Sequence, residues 1–504
     1  MKAKKIVSLM LTVSVLGSLC ACKEKPTSSN EPTETKEPAP TTSKETTVET
    51  TEETVETKAT TESRPVVEVN DESEDPIVIY GYDESFKALM KTYLPDTAYE
   101  FVLLPEDEYF KKLDQAMKSE EKTPDLFMCD KEHLQDYSYS NKSLDIRELG
   151  FTAKDIEDQF VYTYEAAQDA DGAVKALSYS LAPSSILYNR ALAYQAFGSD
   201  DPNDVLRHLE SWDNILEAAQ DINLNSEGRV KLLGSISDIR DTFWASHTGK
   251  WIKDGKVVID KDFNKYFHLE EVLMAESLTF GAEYGSQEWA DYLKNNESMM
   301  FFGSLLRAKD VIGYVPGHEE IATEGENGTH SVTDETKTDG QKDGKTSETS
   351  GSGETSETLP PPEVTGWAIL PAPEASYDGG VWLMAASTCD KRATAATILR
   401  TLTMEESTME KMALEGIFVN SQTVMKKCAA DPFFISDFLG GQNPYAVLVP
   451  VAERIKVSVD TEESTYAFRE IETLLQAYLS GEIATMDEVK TQFTVGLQEL
   501  FGLT

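Results

Sequence analysis

The chain has 504 residues, of which 89 are acidic and 46 basic, so its formal net charge at pH 7 is −43. A charge of this sign repels nucleic acid and anionic lipid headgroups, and the sequence has no stripe of Lys and Arg interleaved with aromatic residues. We therefore exclude a nucleic-acid partner. Beyond the N-terminal region no run of about 18 apolar residues occurs, so no other segment is expected to span a bilayer.

The N-terminus has the pattern of a bacterial lipoprotein export signal. A basic start leads into an apolar stretch over 6–19 that is too short for a spanning helix. Residues 19–22 resemble a lipobox with Cys22 as the lipidated residue, and Cys20 is the poorer candidate because bulky Leu19 precedes it. We expect residues 1–21 to be removed, and acyl chains, palmitate among them, to anchor the protein at the extracellular face of the cell membrane. The alternative is an ordinary cleaved signal.

Two tracts have a composition that cannot bury enough apolar surface to offset the entropy of ordering. Residues 22–75 are almost entirely Thr, Glu, Ser, Pro and Lys, and residues 318–358 are similar. We expect the first tract to be a disordered spacer that holds an anchored domain off the thick cell wall of a Gram-positive bacterium. The second is expected to be a disordered insertion, with an interdomain linker as the alternative.

Removal of Cys20 and lipidation of Cys22 would leave three cysteines, namely Cys129, Cys389 and Cys428. Their number is odd and their spacing is not typical of a metal site. We expect them to be small buried side chains, and the sequence leaves a bridge between Cys389 and Cys428 open. No metal or other cofactor is predicted.

The folded part opens as strand, helix, strand, helix, strand. Apolar runs over 77–80, 99–104 and 126–128 predict strands, and the intervening segments have helical periodicity. Such alternation favours an α/β fold with a parallel sheet covered on both sides, in which helices dominate. Because ligands of these sheets bind beyond the carboxyl ends of the strands, the segments after the strands are the first candidate site.

Later segments are mostly helical in pattern. A single amphipathic helix is predicted from Pro202 through Leu209 and Trp212 to Ala219. Three more helices are predicted over 391–402, 465–479 and 487–501.

Several motifs, in this order, resemble family 1 of the extracellular solute-binding proteins, the receptors of ABC importers. They are TPDL (123–126), ILYNR (186–190), WDNI (212–215), NESMMFFG (296–303), WAILPAP (367–373) and GGVWLMA (379–385). Together they cover nearly all of the sequence outside the two polar tracts. Two further motifs, DFLGGQN (437–443) and YLSG (478–481), resemble the carbohydrate-importer branch.

The resemblance implies a two-lobed, type II periplasmic-binding-protein-like fold in which crossing strands join discontinuous lobes. Lobe one would comprise about 76–181 and 384–430, and lobe two about 182–383 and 431–504, with the insertion 318–358 in lobe two. It also implies a monomer that closes around a small ligand, most simply a sugar or oligosaccharide, and presents it to ABC permease subunits.

Recognition of a neutral sugar requires aromatic faces for the ring CH groups and planar polar groups for the hydroxyls. The strand ends of lobe one supply Tyr82, Asp83 and Asp130 as candidates. The crossing segments and lobe two supply Tyr179, Trp244, Arg307, Gly380 and Trp382, and Gly380 would allow close backbone approach.

Each candidate also has a purely structural interpretation. Asp83 could cap a helix beginning near Glu84, and Asp130 could cap the next turn. Trp244 could be a core residue, and Arg307 could pair with Asp310 at i+3. Tyr179 and Trp382 could pack at the hinge. Trp212 and Trp289 are assigned to the core.

The sequence contains no motif that indicates catalysis. It has no nucleophile elbow, phosphate-binding loop or zinc-protease motif, and its six histidines are scattered. Asp238 and Asp241 could serve a glycosidase, but such pairs arise by chance in so acidic a chain. We expect no enzyme. A sensor that docks on a membrane receptor and a surface adhesion lipoprotein stay open as alternatives to transport.

Overall fold

The computed structural model describes residues 69–119, 122–245, 247, 249–314, 365–457 and 462–503. The predicted signal, the lipidation site Cys22, most of the spacer and the whole insertion 318–358 lie outside these residues. No helix in the described ranges has the length and apolar character needed to cross a membrane.

The first lobe is built on a five-stranded sheet of order β2-β1-β3-β10-β4. Its strands are β1 (Ile77–Gly81), β2 (Tyr99–Leu103), β3 (Leu126–Cys129), β4 (Ala176–Pro183) and β10 (Tyr377–Ala385). Strand β1 is parallel to β2 and β3, as the alternating pattern predicts, whereas β10 is antiparallel to both β3 and β4. The sheet is therefore mixed.

Seven helices belong to this part of the fold. They are α1 (Phe86–Tyr93), α2 (Glu106–Ala116), α3 (Leu134–Ser138), α4 (Val161–Glu165), α12 (Arg392–Thr403), α13 (Glu406–Leu414) and α14 (Gln422–Ala430). Helix α2 buries Tyr109 and Leu113, which are four residues apart and so lie on one face. The predicted strand and helix order of the opening is confirmed.

The second lobe is built on a three-stranded antiparallel sheet of order β8-β5-β9. Its strands are β5 (Ser185–Asn189), β8 (Met300–Gly303) and β9 (Trp367–Leu370), and a separate hairpin pairs β6 (Ile252–Lys253) with β7 (Lys256–Val257). Its helices are α5 (Arg190–Phe197), α6 (Pro202–Leu206), α7 (Trp212–Asn225), α8 (Arg240–Trp244), α9 (Lys261–Ala275), α10 (Gln287–Lys294), α11 (Leu305–Ile312), α16 (Glu462–Leu479) and α17 (Met486–Phe501).

The single helix predicted from Pro202 is two helices. Helix α6 ends at Leu206, and α7 begins after Ser211, whose side chain accepts a hydrogen bond from the backbone N–H of Asn214. This cap starts a new helix because it satisfies a terminal N–H group that has no intrahelical partner. Trp212 and Trp289 are buried, as predicted.

Two buried clusters lie on opposite faces of the three-stranded sheet. In β5, Leu187 faces the larger cluster, which also covers the five-stranded sheet, whereas Ile186 and Tyr188 face the smaller cluster. Helix α15 (Pro444–Ala452) contributes to the larger cluster, and α16 and α17 contribute to the smaller one. The α/β, two-lobed, helix-rich architecture expected from the sequence is thus confirmed.

The chain passes directly from one sheet to the other. Only Ser184 separates β4 from β5, and residues 371–376 lead from β9 to β10. These two crossing segments contact each other, because the backbone N–H of Ser184 donates a hydrogen bond to the carbonyl oxygen of Ser376 over 2.8 Å. The predicted end of lobe two at residue 383 needs correction, since β10 begins at Tyr377 and pairs with β3 through Trp382 and Cys129. The other lobe boundaries stay a prediction.

Cys129, Cys389 and Cys428 are buried free thiols. Burial raises the pKa of Cys389 to about 12 and that of Cys428 to about 11, so both thiols stay protonated at neutral pH. The bridge that the sequence left open is not formed.

Candidate functional site

A cavity of about 210 Å³ opens between the lobes. Lys131 follows β3 of the first lobe, Tyr377 begins β10, and α8 and α16 of the second lobe supply the opposite wall. The lining residues are Lys131, Arg240, Asp241, Trp244, Ala245, Ser376, Tyr377, Ile455, Lys456 and Phe468. We call this the cleft cavity.

The start of α8 is fixed by a capped turn at 236–239. The carboxylate of Asp238 accepts hydrogen bonds from the backbone N–H of Ser235 over 2.7 Å and from Nε1 of Trp289 over 2.9 Å. Asp238 is buried, and this burial raises its pKa to about 7 despite the hydrogen bonds. The turn therefore holds α8 in a defined orientation toward the cleft cavity.

Asp241 is the carboxylate that reaches the open part of the cleft cavity. Its side chain is 61% exposed, and its Oδ1 lies 2.8 Å from Nε of Arg240. Desolvation by the surrounding walls opposes ionisation, but Arg240, with smaller contributions from Lys131 and Arg307, outweighs it and lowers the pKa of Asp241. Arg240 also forms an ion pair with Glu472 of α16. Asp241 is thus an ionised, accessible hydrogen-bond acceptor.

Lys131 approaches the cleft cavity from the first lobe. Its Nζ donates a hydrogen bond to the carbonyl oxygen of Tyr377 over 2.9 Å and lies 4.6 Å from the centre of the Tyr377 ring. It therefore presents a cation beside an aromatic surface.

Trp244 belongs to the aromatic wall of the cleft cavity. It is 5% exposed, and its ring centre lies 5.0 Å from that of Tyr266 and 5.5 Å from that of Phe468. The structure thus brings Trp244 to the cavity, as the sequence predicted, while most of the side chain packs in the core. The edge of Trp244 that lines the cavity can contact the CH groups of a sugar ring.

Arg307 lines a second cavity of about 360 Å³ with Asp378, Ser304 and Asp310. Its guanidinium binds Asp378 through two contacts of 2.7 and 2.8 Å, so its ion-pair partner is Asp378 of β10 and not Asp310. A small hollow bounded by Asp241, Ser376 and Asp378 lies between the two cavities. Arg307 therefore tethers α11 to β10 beside the cleft.

The three strand-end candidates, Tyr82, Asp83 and Asp130, are not among the residues lining the cleft cavity. Tyr82 packs edge-on against Tyr109 at 5.1 Å between ring centres. Asp83 accepts hydrogen bonds from the backbone and hydroxyl of Ser85, and Asp130 accepts one from the backbone N–H of His133. Asp83 thus caps a turn before α1, whose N-cap is Ser85, so the expected helix cap by Asp83 is not formed, whereas Asp130 caps the next turn.

The remaining candidates lie in the five-stranded sheet. Tyr179 is 3% exposed, and Trp382 is fully buried with its Nε1 donating to the carbonyl oxygen of Thr163 over 3.0 Å. Gly380 has φ of 134°, and a Cβ there would lie 3.1 Å from the carbonyl oxygen of Ser180. Burial leaves Tyr179 and Trp382 no surface for a ligand in this structure, and Gly380 is required by close strand packing.

Sequence reasoning missed most of the polar wall. Lys131 directly follows Asp130, so the strand-end argument points to the loop that contributes Lys131 to the cleft cavity, although it names the neighbouring side chain. Asp241 gave no specific sequence signal, because carboxylate pairs such as Asp238 and Asp241 arise by chance in so acidic a chain. Ser376 and Tyr377 gave no sequence signal, because their position depends on the crossing of β10 into the first lobe.

His247, Asp260 and Asp262 bring potential metal-ligating atoms within 4.8 Å of one another. The contacts of Asp260 have another explanation, since its carboxylate caps α9 by accepting from the backbone N–H groups of Asp262 and Phe263 and also contacts Nε2 of His247 over 2.8 Å. Asp260 is therefore accounted for as the cap of α9, with His247 bound to the same carboxylate.

No protein-family model and no curated protein matches the sequence. Solved structures do match. An extracellular solute-binding protein of family 1 superposes with a TM-score of 0.63 at 12% identity, over 84% of this chain and 99% of that one. An ABC-transporter-associated binding protein from B. animalis subsp. lactis Bl-04 in complex with beta-1,6-galactobiose gives 0.54 at 16% identity, over 85% and 96%. The cyclic alpha-maltosyl-1,6-maltose binding protein from Arthrobacter globiformis gives 0.57 at 12% identity, over 84% and 98%. The protein therefore has the two-lobed fold of the extracellular solute-binding proteins.

Proposed function

We propose that the protein is an extracellular receptor that binds a small solute, a sugar or oligosaccharide, between its lobes and delivers it to an ABC importer. The observation that carries this proposal is the cleft cavity, in which aromatic and planar polar side chains from both lobes converge. Two of the compared structures are named for sugar ligands, which supports a saccharide. The compared proteins are binding proteins, which supports a function without catalysis.

The proposed mechanism is ligand-stabilised closure. A solute that contacts Lys131 on one lobe and Asp241 on the other is bound more tightly when the lobes are close together, so it shifts the population toward the closed form. The crossing segments at Ser184 and Ser376 are the natural hinge, because few other residues would need to change conformation. The closed form would then present a matched surface to the permease.

Of the predicted contacts, Trp244, Arg307, Tyr82, Asp83 and Asp130 stay proposals. Trp244 is the strongest of these because it lines the cleft cavity. To them we add Lys131, Asp241 and Tyr377.

A thermal-shift screen of the full chain against mono- and oligosaccharides tests the proposal, with amino acids, peptides and polyamines as comparison ligands. A specific ligand at 100 times its dissociation constant should add about 2.7 kcal/mol to the free energy of unfolding. A shift with one sugar class would support the receptor and name its ligand. A shift with only a comparison class would reject the sugar, and no shift with any ligand would favour a sensor that docks on a partner or an adhesion lipoprotein.

We also propose that Cys22 anchors the protein to the extracellular face of the membrane of a Gram-positive bacterium, where it acts as a monomer. Replacement Cys22→Ser should prevent labelling by a palmitate analogue and release the protein into the medium. Cys20→Ser is the matched control and should leave labelling unchanged. Labelling that survives Cys22→Ser would reject this anchor.

A further inference from the structure

The walls of the cleft cavity are unusually cationic for this chain. The whole sequence has a net charge of −43, yet the cavity is lined by Lys131, Arg240 and Lys456 and by a single carboxylate, that of Asp241. In so acidic a protein, a cavity with three cations and one carboxylate concentrates positive potential where a ligand would lie.

The positive charges differ in how they are compensated. Arg240 is paired with both Asp241 and Glu472. Lys131 contacts the carbonyl oxygen and the ring of Tyr377, which are neutral, and neither Lys131 nor Lys456 forms an ion pair with any residue that the structure describes. The carboxylate next to Lys131 in sequence, Asp130, accepts a hydrogen bond from the backbone of His133. Lys131, Arg240 and Lys456 therefore outnumber Asp241 and Glu472, and Lys131 acts on Asp241 only beyond ion-pair distance.

The hydroxyl of Ser376 is an independent indication that a ligand group binds here. Its side chain is buried, at 4% exposure, and its hydroxyl has no hydrogen-bond partner among the described residues. It lines both the cleft cavity and the adjoining hollow, and it is followed in sequence by Tyr377, whose carbonyl oxygen binds Lys131. A buried hydroxyl without a partner destabilises the structure, and a ligand oxygen that accepts its hydrogen bond would remove this cost.

We infer that the solute is an acidic saccharide, whose carboxylate or sulfate group binds against Lys131 and Ser376. The group has only acceptor oxygens, and Lys131 and Ser376 offer an ammonium and a hydroxyl donor at one side of the cavity. The sugar rings then extend along Trp244, Tyr377 and Phe468, and Asp241 accepts from ring hydroxyls. This inference rests on the proposed receptor function and specifies its ligand.

Isothermal titration calorimetry of the full chain tests the inference with matched oligosaccharides. The probes are galacturonate and glucuronate oligomers, sulfated galactose oligomers, and neutral galactose and glucose oligomers of equal length. We expect one acidic series to bind at least tenfold more tightly than its neutral counterpart, with an affinity that falls as salt is raised. Preference for the uronates or for the sulfated sugars identifies the anionic group.

Two variants test whether the anionic group of the sugar binds at Lys131 and Ser376. Lys131→Met should weaken binding of the acidic sugar at least tenfold and leave the neutral counterpart within twofold. Ser376→Ala should weaken the acidic sugar severalfold without lowering the melting temperature, because the hydroxyl has no partner in the described residues to lose. Lys91→Met, at an exposed site of the same lobe, is the matched control and should change neither affinity.

Neutral oligomers that bind as tightly as the acidic ones, with no effect of Lys131→Met, would overturn the inference and leave the sugar receptor standing. Binding of a ligand class other than saccharides would instead overturn the proposed sugar function. If Lys131→Met does not fold, the salt dependence of the native chain and the Ser376→Ala variant decide the matter.

Discussion

At the scale of single residues, neighbouring carboxylates in lobe two have opposite environments. Asp238 is buried and hydrogen-bonded to backbone and indole donors, and its pKa is raised to about 7. Asp241, three residues later, is 61% exposed and ionised beside Arg240. Two residues of the same type, one turn apart, therefore serve the protein differently, Asp238 as a structural support and Asp241 as a proposed ligand contact.

Replacement Asp241→Asn should weaken binding of the ligand identified by the screen about tenfold or more, because it removes a charged hydrogen-bond acceptor from the cleft cavity. The melting temperature should change little, since the side chain is exposed and Arg240 keeps Glu472 as a partner. Titration calorimetry and thermal unfolding measure the two effects. Asp213→Asn, at an 85% exposed site of α7, is the control that should leave affinity unchanged. Equal affinities of native and Asp241→Asn proteins would remove Asp241 from the site.

Glu270 of α9 should make stability depend on pH. Its side chain is buried, one carboxylate oxygen has no partner among the described residues, and desolvation raises its pKa to about 8 against the opposing effects of Tyr266 and Arg240. Between about pH 4.5 and 8 the folded state holds this proton while the unfolded state has lost it, so the contribution to stability falls as pH rises through this window.

Glu270→Gln cannot titrate, so its free energy of unfolding should match that of the native protein near pH 5 and exceed it by about 3–5 kcal/mol near pH 9. Urea titrations at a series of pH values measure the difference. Glu283→Gln, at an exposed position, should keep the native profile. Parallel profiles for the native protein and Glu270→Gln would show that Glu270 is ionised throughout.

At the scale of elements, Asn443 joins the end of α14 to the beginning of α15. Its Oδ1 accepts from the backbone N–H of Tyr445 over 2.9 Å, and its Nδ2 donates to the carbonyl oxygen of Cys428 over 2.8 Å. One side chain thus satisfies the terminal groups of two helices. Because α15 packs in the larger cluster, this junction supports that cluster.

Asn443→Ala should lower the free energy of unfolding by about 2–3 kcal/mol, since it removes a helix cap and the hydrogen bonds to the preceding helix together. Chemical denaturation checks the value. Ser211→Ala removes only the cap of α7 and should cost about 1 kcal/mol. A loss for Asn443→Ala no larger than that for Ser211→Ala would mean that the contacts to α14 contribute nothing.

At the scale of the whole molecule, the lobes are joined by segments that are short and close together. Ser184 and Ser376 lie on different crossings and are bonded to each other, while the Arg307–Asp378 pair ties α11 to the start of β10. We expect a bend at these crossings to change the distance between Lys131 and Asp241 and to shift contacts in the larger cluster, which both sheets share. On the proposed function, ligand binding is expected to move the lobes chiefly by bending at these two crossings.

Saturating ligand should therefore reduce the radius of gyration measured by small-angle X-ray scattering. The physical reason is that contacts to both lobes favour the closed population. Asp241→Asn at the same ligand concentration should show a smaller reduction or none. Tight binding without any change in the scattering would indicate that the lobes are already closed without ligand.

The sequence predicted those features that depend on local periodicity and on burial of both faces of a strand. Apolar runs such as 77–80, which are bounded by turn residues, predict strands β1 to β3. The helical periodicity between these runs predicts helices α1 and α2. The break at Ser211 was missed, since the apolar spacing continues across it and only the cap reveals the new helix.

By itself the sequence determined the α/β class and, through its ordered motifs, the two-lobed fold. Only the tertiary structure decided that Trp382 is a core residue, that Arg307 pairs with Asp378, and that Lys131, Asp241 and Ser376 meet in one cavity. The physical reason is that local patterns fix which face of an element is buried, whereas a binding site is formed where distant segments cross. In this chain Lys131 and Ser376 are brought together by antiparallel pairing of β3 with β10.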